Sequence, residues 1–332
     1  MFYSINIMSD PIKSSFRDKY IGKLTMKEPY SRTKFLSVRA RGVLDLLRPF
    51  TLLAPLTVSA SIMAASLIYY GKVESDWWIT IGQASLTIAL VNAASNALNQ
   101  ATDIEADKIS KPYRPIPRGV VEIDGAQSLA YILYLFALIR AVTINVWFGT
   151  FIFLIMIFTV TYSLPPRMKK YIFINQIWIA IPRGMLGILA AWSVFGNPFD
   201  TTPLTIGAIA TVYLIGAMAT KDITDAEADR KTGTKTLINT YGNRKTAIFC
   251  FPFMLFPFLL IPIFSDMGLI MDYLWPLSFI FIFSIFIFYL MIRDSESTTL
   301  ENVHAWSIMY VAYMFYALGF SVLTIFHNYL PF

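Results

Sequence analysis

The sequence predicts an all-α integral membrane bundle of nine transmembrane helices with a cytoplasmic N-terminus. Three observations predict it. Charged residues are only 14% of the chain and hydrophobic residues 56%, against about 25% charged in soluble domains. Nine apolar segments follow one another almost without a break from residue 50, each near the roughly 20 residues that a bilayer core requires. Lysine and arginine gather on alternate connections between those segments, as the positive-inside rule demands.

Taken in order, residues 1–33 read as a basic cytoplasmic tail with little order. Residues 34–48, K-F-L-S-V-R-A-R-G-V-L-D-L-L-R, place Leu36, Ala40, Val43 and Leu47 at helical spacing, with Lys34, Arg39 and Arg41 mostly off that stripe. This is the pattern of an amphipathic helix lying on an anionic leaflet, or equally of a short juxtamembrane helix on a solvated basic tail. Residues 49–332 form a single transmembrane domain. Its spans are expected at 50–70, 79–100, 126–143, 144–163, 172–195, 203–221, 246–264, 270–291 and 304–326, with a short turn between the third and fourth at Thr143–Trp147. Pro252, Pro257 and Pro262 punctuate the seventh span.

Charge sets the orientation. Ten Lys and Arg lie in residues 1–49, four in 101–125, three in 164–171, six in 221–245, and one at Arg293; on the other side only Lys72 and Arg140 remain. The net charge of +6 therefore follows membrane topology, and nucleic acid is not expected as a partner. The expected location is the cell membrane, crossed many times. Cys250 is the single cysteine, which excludes an intrachain disulfide and a cysteine metal centre. The polar, basic opening residues show no cleavable signal peptide.

Two acid clusters stand out against this background. N-Q-A-T-D-I-E-A-D carries Asn99, Asp103 and Asp107, and D-I-T-D-A-E-A-D carries Asp222, Asp225 and Asp229. On a helix, Asn99, Asp103 and Asp107 step round by about 40° each, and Asp222, Asp225 and Asp229 fall within about 60° of one another. Glu105 and Glu227 point away. Each cluster is then one face, and the two end the second and sixth spans, on the cytoplasmic side, where they could face each other across one cavity. Acids at a bilayer edge read by default as a functional site. Hard oxygen donors suit Mg²⁺, which, held by a few carboxylates, brings a phosphate-bearing substrate with it. The bland reading is a pair of solvated helix ends balanced by neighbouring lysines and arginines.

Basic loops follow the acids. K-P-Y-R-P-I-P-R-G, residues 111–119, cannot continue a helix through Pro112, Pro115 and Pro117, and a polyproline-like course puts Lys111 and Arg114 on one face. These charges could clamp phosphate oxygens, or serve in part as topology determinants. R-K-T-G-T-K-T-L supplies Arg230, Lys231 and Lys235 after the second cluster, and Y-S-L-P-P-R-M-K-K places Tyr162 and Ser163 at the foot of the fourth span with Lys169 and Lys170 beyond. Arg183, within I-P-R-G, is a cation inside the fifth span, expected to point into the protein toward an anionic partner.

In this order, N-x3-D-x3-D, K-P-x-R-P-I-P-x-G, Y-S-x-P-P-x-M-K and D-x2-D-x3-D-x3-G-x-K-T-L resemble the UbiA superfamily of intramembrane prenyltransferases over roughly residues 45–325. The resemblance implies a bundle around a central cavity opening laterally to lipid, and transfer of an isoprenoid chain from its diphosphate to a lipophilic acceptor. It implies two Mg²⁺ ions, one held by Asn99, Asp103 and Asp107, the other by Asp222, Asp225 and Asp229. Asp103, Asp107, Asp225 and Asp229 would be the catalytic acids. Lys111, Arg114, Lys169 and Arg183 would contact the diphosphate, with Tyr162 and Ser163 lining the cavity beside it. The branch resembled best is that of archaeal ether-lipid synthases, with geranylgeranyl diphosphate as donor and geranylgeranylglyceryl phosphate as acceptor. An aromatic or tetrapyrrole acceptor of quinone or chlorophyll synthesis is the alternative. A cation transporter is the reading from another class; it expects acids near the bilayer midplane on broken helices.

Overall fold

The computed structural model describes residues 37–73, 75–293 and 303–329, and among them the chain is helical with no strand. The expected tail, residues 1–33, and the start of the juxtamembrane helix lie outside the described residues.

Helix α1 (Val38–Leu47) starts where the Ser37 side chain accepts from Ala40 N–H. It ends at Arg48 in the left-handed region (φ 53°, ψ 66°), and Pro49 opens a short 3₁₀ turn before α2 (Leu53–Tyr69). The face that helix α1 buries within the protein is Gly42, Asp45 and Leu46, and its end is held by Gln100 Nε2 and Asn96 Nδ2 of the helix Trp77–Thr102, which donate to the carbonyls of Leu46 and Leu47.

Next come α3 (Trp77–Thr102), α4 (Ile104–Ser110), α5 (Ile123–Ile144) and α6 (Val146–Ser163). The expected turn between the third and fourth spans shrinks to Asn145, whose side chain caps α6 at Trp147 N–H. α7 (Ile174–Ile181) passes through a π-helical turn, Pro182–Leu186, into α8 (Gly187–Ser193). α9 (Thr201–Ala217) tightens into a 3₁₀ turn, Met218–Asp222, and is followed by α10 (Ala226–Lys231). α11 (Leu237–Leu259), α12 (Ile261–Asp266), a 3₁₀ stretch Asp272–Ile280 leading into α13 (Phe281–Arg293), and α14 (His304–Phe326) complete the chain.

Successive long helices pack side by side: α2 on α3, α3 on α5, α5 on α6, α9 on α11, α11 on α13, α13 on α14. α14 returns to α2 and closes the ring. Small residues make the close approaches. α5 turns Ala126, Ala130, Ala137 and Ala141 inward and leaves Ile132, Leu135, Ile139 and Val142 exposed, the division expected of a helix whose outer face meets lipid.

Among the described residues, seven helices are long and apolar enough to cross a membrane. The other two expected spans are helical but differ in kind. α3 carries Asn92, Asn96 and Gln100, which hold the α1–α2 corner. α11 is interrupted at Gly242 (φ 78°, ψ 166°) and contains Pro252 and Pro257, with Pro262 just inside α12. Proline removes ladder hydrogen bonds, which divides the expected seventh span into shorter pieces.

Candidate active site

The two acid clusters meet, but not on the two unbroken helices expected. α3 stops at Thr102, and Asp103 is non-helical (φ −111°, ψ 18°) before α4 begins. Asp222 ends a 3₁₀ turn, Asp225 is the N-cap of α10, and Asp229 lies within α10. Breaking the helix at each cluster lets α4 and α10 pack against each other at the same end of the bundle. Between them lies a polar chamber of about 540 Å³ lined by Asn99, Asp103, Asp107, Asp222, Asp225 and Asp229.

The same chamber receives Lys111, Arg114, Tyr162, Lys169 and Arg183. Ser163 is the exception: it is buried at 1% exposure, behind Asn99, whose Nδ2 lies 3.5 Å from its Oγ. Its neighbour Tyr162 takes the cavity-facing position on α6, and one step round a helix turns a side chain by about 100°. Glu105, at the chamber's rim, and Glu227 have exposed side chains that pair with Lys108 and Lys231 on their own helices.

The Pro-rich loop is not extended. Arg114 N–H bonds to Lys111 C=O at 3.0 Å, Gly119 to Ile116, and Val120 to Pro115, so residues 111–120 wind through successive turns. The proximity of Lys111 and Arg114 survives by a different route. After the second cluster, Lys231 reaches the chamber rim, while Arg230 and Lys235 stay off its lining.

Each acid except Asp229 has a cation against it. Arg114 Nη1 donates to both oxygens of Asp107, at 2.8 and 2.7 Å, and both side chains are buried. Lys111 crosses from the first cluster to Asp225. Asp103 accepts from Lys169 and, at 2.8 Å, from Arg167, which also holds Thr102 C=O. Lys221 pairs with Asp222, whose second oxygen accepts from Asn175 Nδ2 at 3.1 Å. Burial favours the neutral form of the Asp225 carboxyl, but Lys111 and Arg114 outweigh it and hold the group below the usual carboxylate range. Asp229 has no ion pair among the described residues. Burial, then the Asp222 and Asp225 charges, push its carboxyl up to about 7. Arg48, Arg167 and Lys221 escaped the sequence reading, because basic residues beside cytoplasmic span ends are expected there for topology alone.

Among the described residues, no three acidic, histidine or cysteine side chains converge closely enough to hold a metal ion by themselves. The donors are nonetheless all hard oxygen, and the Asn99 amide nitrogen, by donating to Asp103 at 2.9 Å, leaves its carbonyl oxygen to the chamber. That set fits Mg²⁺, which takes one or two carboxylates and completes its shell with water and phosphate oxygens.

A second, more apolar chamber of about 230 Å³ adjoins the first, lined by Val58, Ile88, Ile155, Phe158 and Trp178 among others. Asn99, Tyr162, Lys221, Arg48 and Arg183 border both. Tyr162 is fixed at the junction: its hydroxyl donates to Asn175 Oδ1 at 3.0 Å, and Lys169 and Lys221 each lie 5.9 Å from its ring. An ionic chamber opening into an oily one suits an amphiphile with a charged head. A cation path would place the acids near the bilayer midplane, whereas these gather at one end of the bundle, where α3 and α9 end.

The profile of the UbiA prenyltransferase family matches residues 58–319. The chain is 25% identical over 283 residues to digeranylgeranylglyceryl phosphate synthase of Methanobrevibacter smithii, covering 82% of this chain and 98% of that one. It is 32% identical over 232 residues to a probable homogentisate phytyltransferase 2 of Oryza sativa subsp. japonica, covering 66% of this chain and 60% of that one. In three dimensions it superposes on a UbiA homolog from Archaeoglobus fulgidus bound to GPP and Mg²⁺ with a TM-score of 0.65 at 17% identity, over 86% of this chain and 98% of that one. The chain belongs to the UbiA prenyltransferase family and is an enzyme that transfers prenyl groups.

Proposed function

We propose that the protein transfers a geranylgeranyl chain from geranylgeranyl diphosphate to geranylgeranylglyceryl phosphate, in isoprenoid ether-lipid synthesis. The observation that carries this reading is the pairing of the chambers: a carboxylate-and-cation chamber that joins an apolar one at Tyr162. The likeness to the Methanobrevibacter synthase along nearly its whole length supports the glyceryl acceptor.

Two Mg²⁺ ions fit the donor set, one toward Asn99, Asp103 and Asp107, the other toward Asp222, Asp225 and Asp229. When bound, such ions act as Lewis acids that offset the charge developing on the departing diphosphate. Lys111, Arg114 and Lys169 bind its oxygens as fixed cations that need no reorganisation during the reaction. Tyr162 stands where the reacting carbon lies, with its ring toward the apolar chamber. Phe158 and Trp178 keep water from the allylic cation left when the C–O bond ionises and the diphosphate takes the bonding pair. The acceptor hydroxyl oxygen then bonds to that carbon and releases its proton to the solvated polar chamber.

By the same reading the domain spans the cell membrane nine times. The polar chamber faces the cytoplasm with the N-terminus, and α1 rests at the interface. The distribution of Lys and Arg supports this.

The test is direct. Purified protein in liposomes receives labelled geranylgeranyl diphosphate, Mg²⁺ and a panel of acceptors, and prenylated product is extracted. Ether product from geranylgeranylglyceryl phosphate is expected. Product from homogentisate or a tetrapyrrole instead would move the enzyme to the aromatic branch, which the Oryza likeness favours.

A further inference from the structure

Arg167 has a different setting from the other cations around the polar chamber. Helix α3 ends at Thr102, and Asp103 follows with non-helical angles, so the last carbonyls of α3 have no partner within the helix. Arg167, on the loop between α6 and α7, meets this break from outside. Its Nη2 donates to Thr102 C=O at 2.7 Å and to Asp103 Oδ1 at 2.8 Å. One amino group thus ties the acid to the end of the helix that precedes it. A cation that merely capped α3 would need only the carbonyl; here the second N–H goes to the carboxylate.

The loop is shaped to deliver this contact. Arg167 has left-handed backbone angles (φ 61°, ψ 59°), which cost a non-glycine residue free energy and cluster at functional sites. Arg167 N–H donates to Leu164 C=O at 2.7 Å, and Lys170 N–H donates to Arg167 C=O at 3.0 Å. Lys235 N–H, beyond the second acid cluster, donates to Lys170 C=O at 3.3 Å and anchors the far side. Arg167 Nε is buried without a hydrogen bond among the described residues, a loss that the fold tolerates while placing Nη2.

The 3₁₀ turn that follows, Met168–Lys170, carries Lys169, whose Nζ donates to the same Asp103 Oδ1. Asp103 Oδ2 accepts from Asn99 Nδ2 at 2.9 Å. The two cations on Oδ1 are unlike. Lys169 is a point charge on a flexible stem, whereas the planar guanidinium of Arg167 is fixed by two acceptors. In the proposed reaction Lys169 binds the diphosphate, and Asp103 then keeps Arg167 and Asn99 as the groups that aim it.

We infer that Arg167 is a positioning residue for the first metal site: by bridging Thr102 C=O and Asp103 Oδ1, it holds the carboxylate at the helix break toward the cation that Asn99, Asp103 and Asp107 are proposed to share. The inference rests on that metal reading. Groups that orient a ligating carboxylate set its metal affinity, and their loss weakens binding by about tenfold to a hundredfold.

The experiment measures equilibrium binding of labelled geranylgeranyl thiodiphosphate, a non-reacting donor analogue, to the full chain in detergent across a range of Mg²⁺ concentrations. R167Q is expected to raise the Mg²⁺ concentration for half-maximal binding by about tenfold or more, and R167K to raise it less. Binding of the analogue without Mg²⁺ should match wild type in both, and R167Q should add nothing in a D103N background. A purely structural role would lower the melting point and leave the Mg²⁺ requirement of the folded protein unchanged. The assignment fails if R167Q and R167K keep the wild-type requirement while D103N raises it, if R167Q raises it equally in the D103N background, or if R167Q weakens the analogue without Mg²⁺. An unchanged requirement in D103N would overturn the metal reading of Asp103, and the inference with it.

Discussion

Lys111, at the C-terminal end of α4, reaches across the polar chamber to the carboxylate of Asp225 at the start of α10. One ion pair thus joins the two acid clusters, although 114 residues separate the partners in the chain. The pair sits where the diphosphate is proposed to bind, so both members are expected to matter for chemistry more than for folding.

Replacing Asp225 by Asn, or Asp103 by Ala, is expected to lower kcat by a factor on the order of 10²–10³, the size typical of a lost electrostatic stabiliser. The buried Lys111 and Lys169 lose their partners in these variants, so the thermal unfolding midpoint should fall as well. Turnover near the wild-type rate in a radiolabel assay would remove them from the site.

Arg114 and Asp107 form a bidentate pair with both side chains buried. Truncating only Arg114 to Met strands a buried carboxylate, at a cost of about 3–5 kcal/mol. The double variant D107L/R114M should recover most of that stability and none of the activity. Thermal unfolding of the single and double variants, read beside turnover, separates the two roles.

The pH dependence follows from Asp229. Its carboxyl holds a proton up to about 7 because of burial and the nearby Asp222 and Asp225. A cation displaces that proton, so Mg²⁺ affinity should fall as pH drops through 7, and binding near pH 7 should release protons. Without Mg²⁺ the sign for stability is opposite. The folded state binds the proton more tightly than the unfolded chain, so this group's contribution declines as pH rises from the ordinary carboxylate range toward 7. Calorimetric Mg²⁺ titrations in two buffers of different ionisation enthalpy, on wild type and D229N, check this; an unchanged proton release in D229N would clear Asp229 of the role.

Gly184 supplies a packing test. A methyl there meets Thr211 Cα at 2.7 Å as well as its Oγ1, and overpacking of this kind costs about 1–3 kcal/mol. G125A, on a helix with open space around the added carbon, should instead be neutral or slightly stabilising. Equal melting points for the two variants would contradict the close approach of the π turn to α9.

The acids, Lys111, Arg114 and Lys169 were legible in sequence because carboxylates and prolines at span ends defy what a bilayer tolerates. Helical phase carried the reading too far, since it assumed α3 and α9 continue through the clusters, whereas Asp103 and the Met218–Asp222 turn break them. Ser163 was expected at the cavity from the resemblance alone, and the structure puts it behind Asn99 while Tyr162 lines the chamber. Asn92, Asn96 and Gln100 were legible in principle, being amides at helical spacing in an apolar run, but what they hold, the carbonyls of the α1–α2 corner, is a tertiary fact. Arg183 announced itself as an intramembrane cation. Arg48, which borders the same two chambers, did not, because a basic residue beside the first span needs no explanation.

The chain of hydrogen bonds from Tyr162 to Asn175 to Asp222 has a further meaning. It sets a rigid border between a wet compartment and an oily one inside a single molecule, so the enzyme works as a phase-transfer catalyst. An amphiphile has only one orientation in which both of its ends are solvated at that border. Once the tail is cut from its head, the two fragments prefer opposite compartments. For the proposed reaction, partition then favours release of the diphosphate to water and of the lengthened lipid to the bilayer.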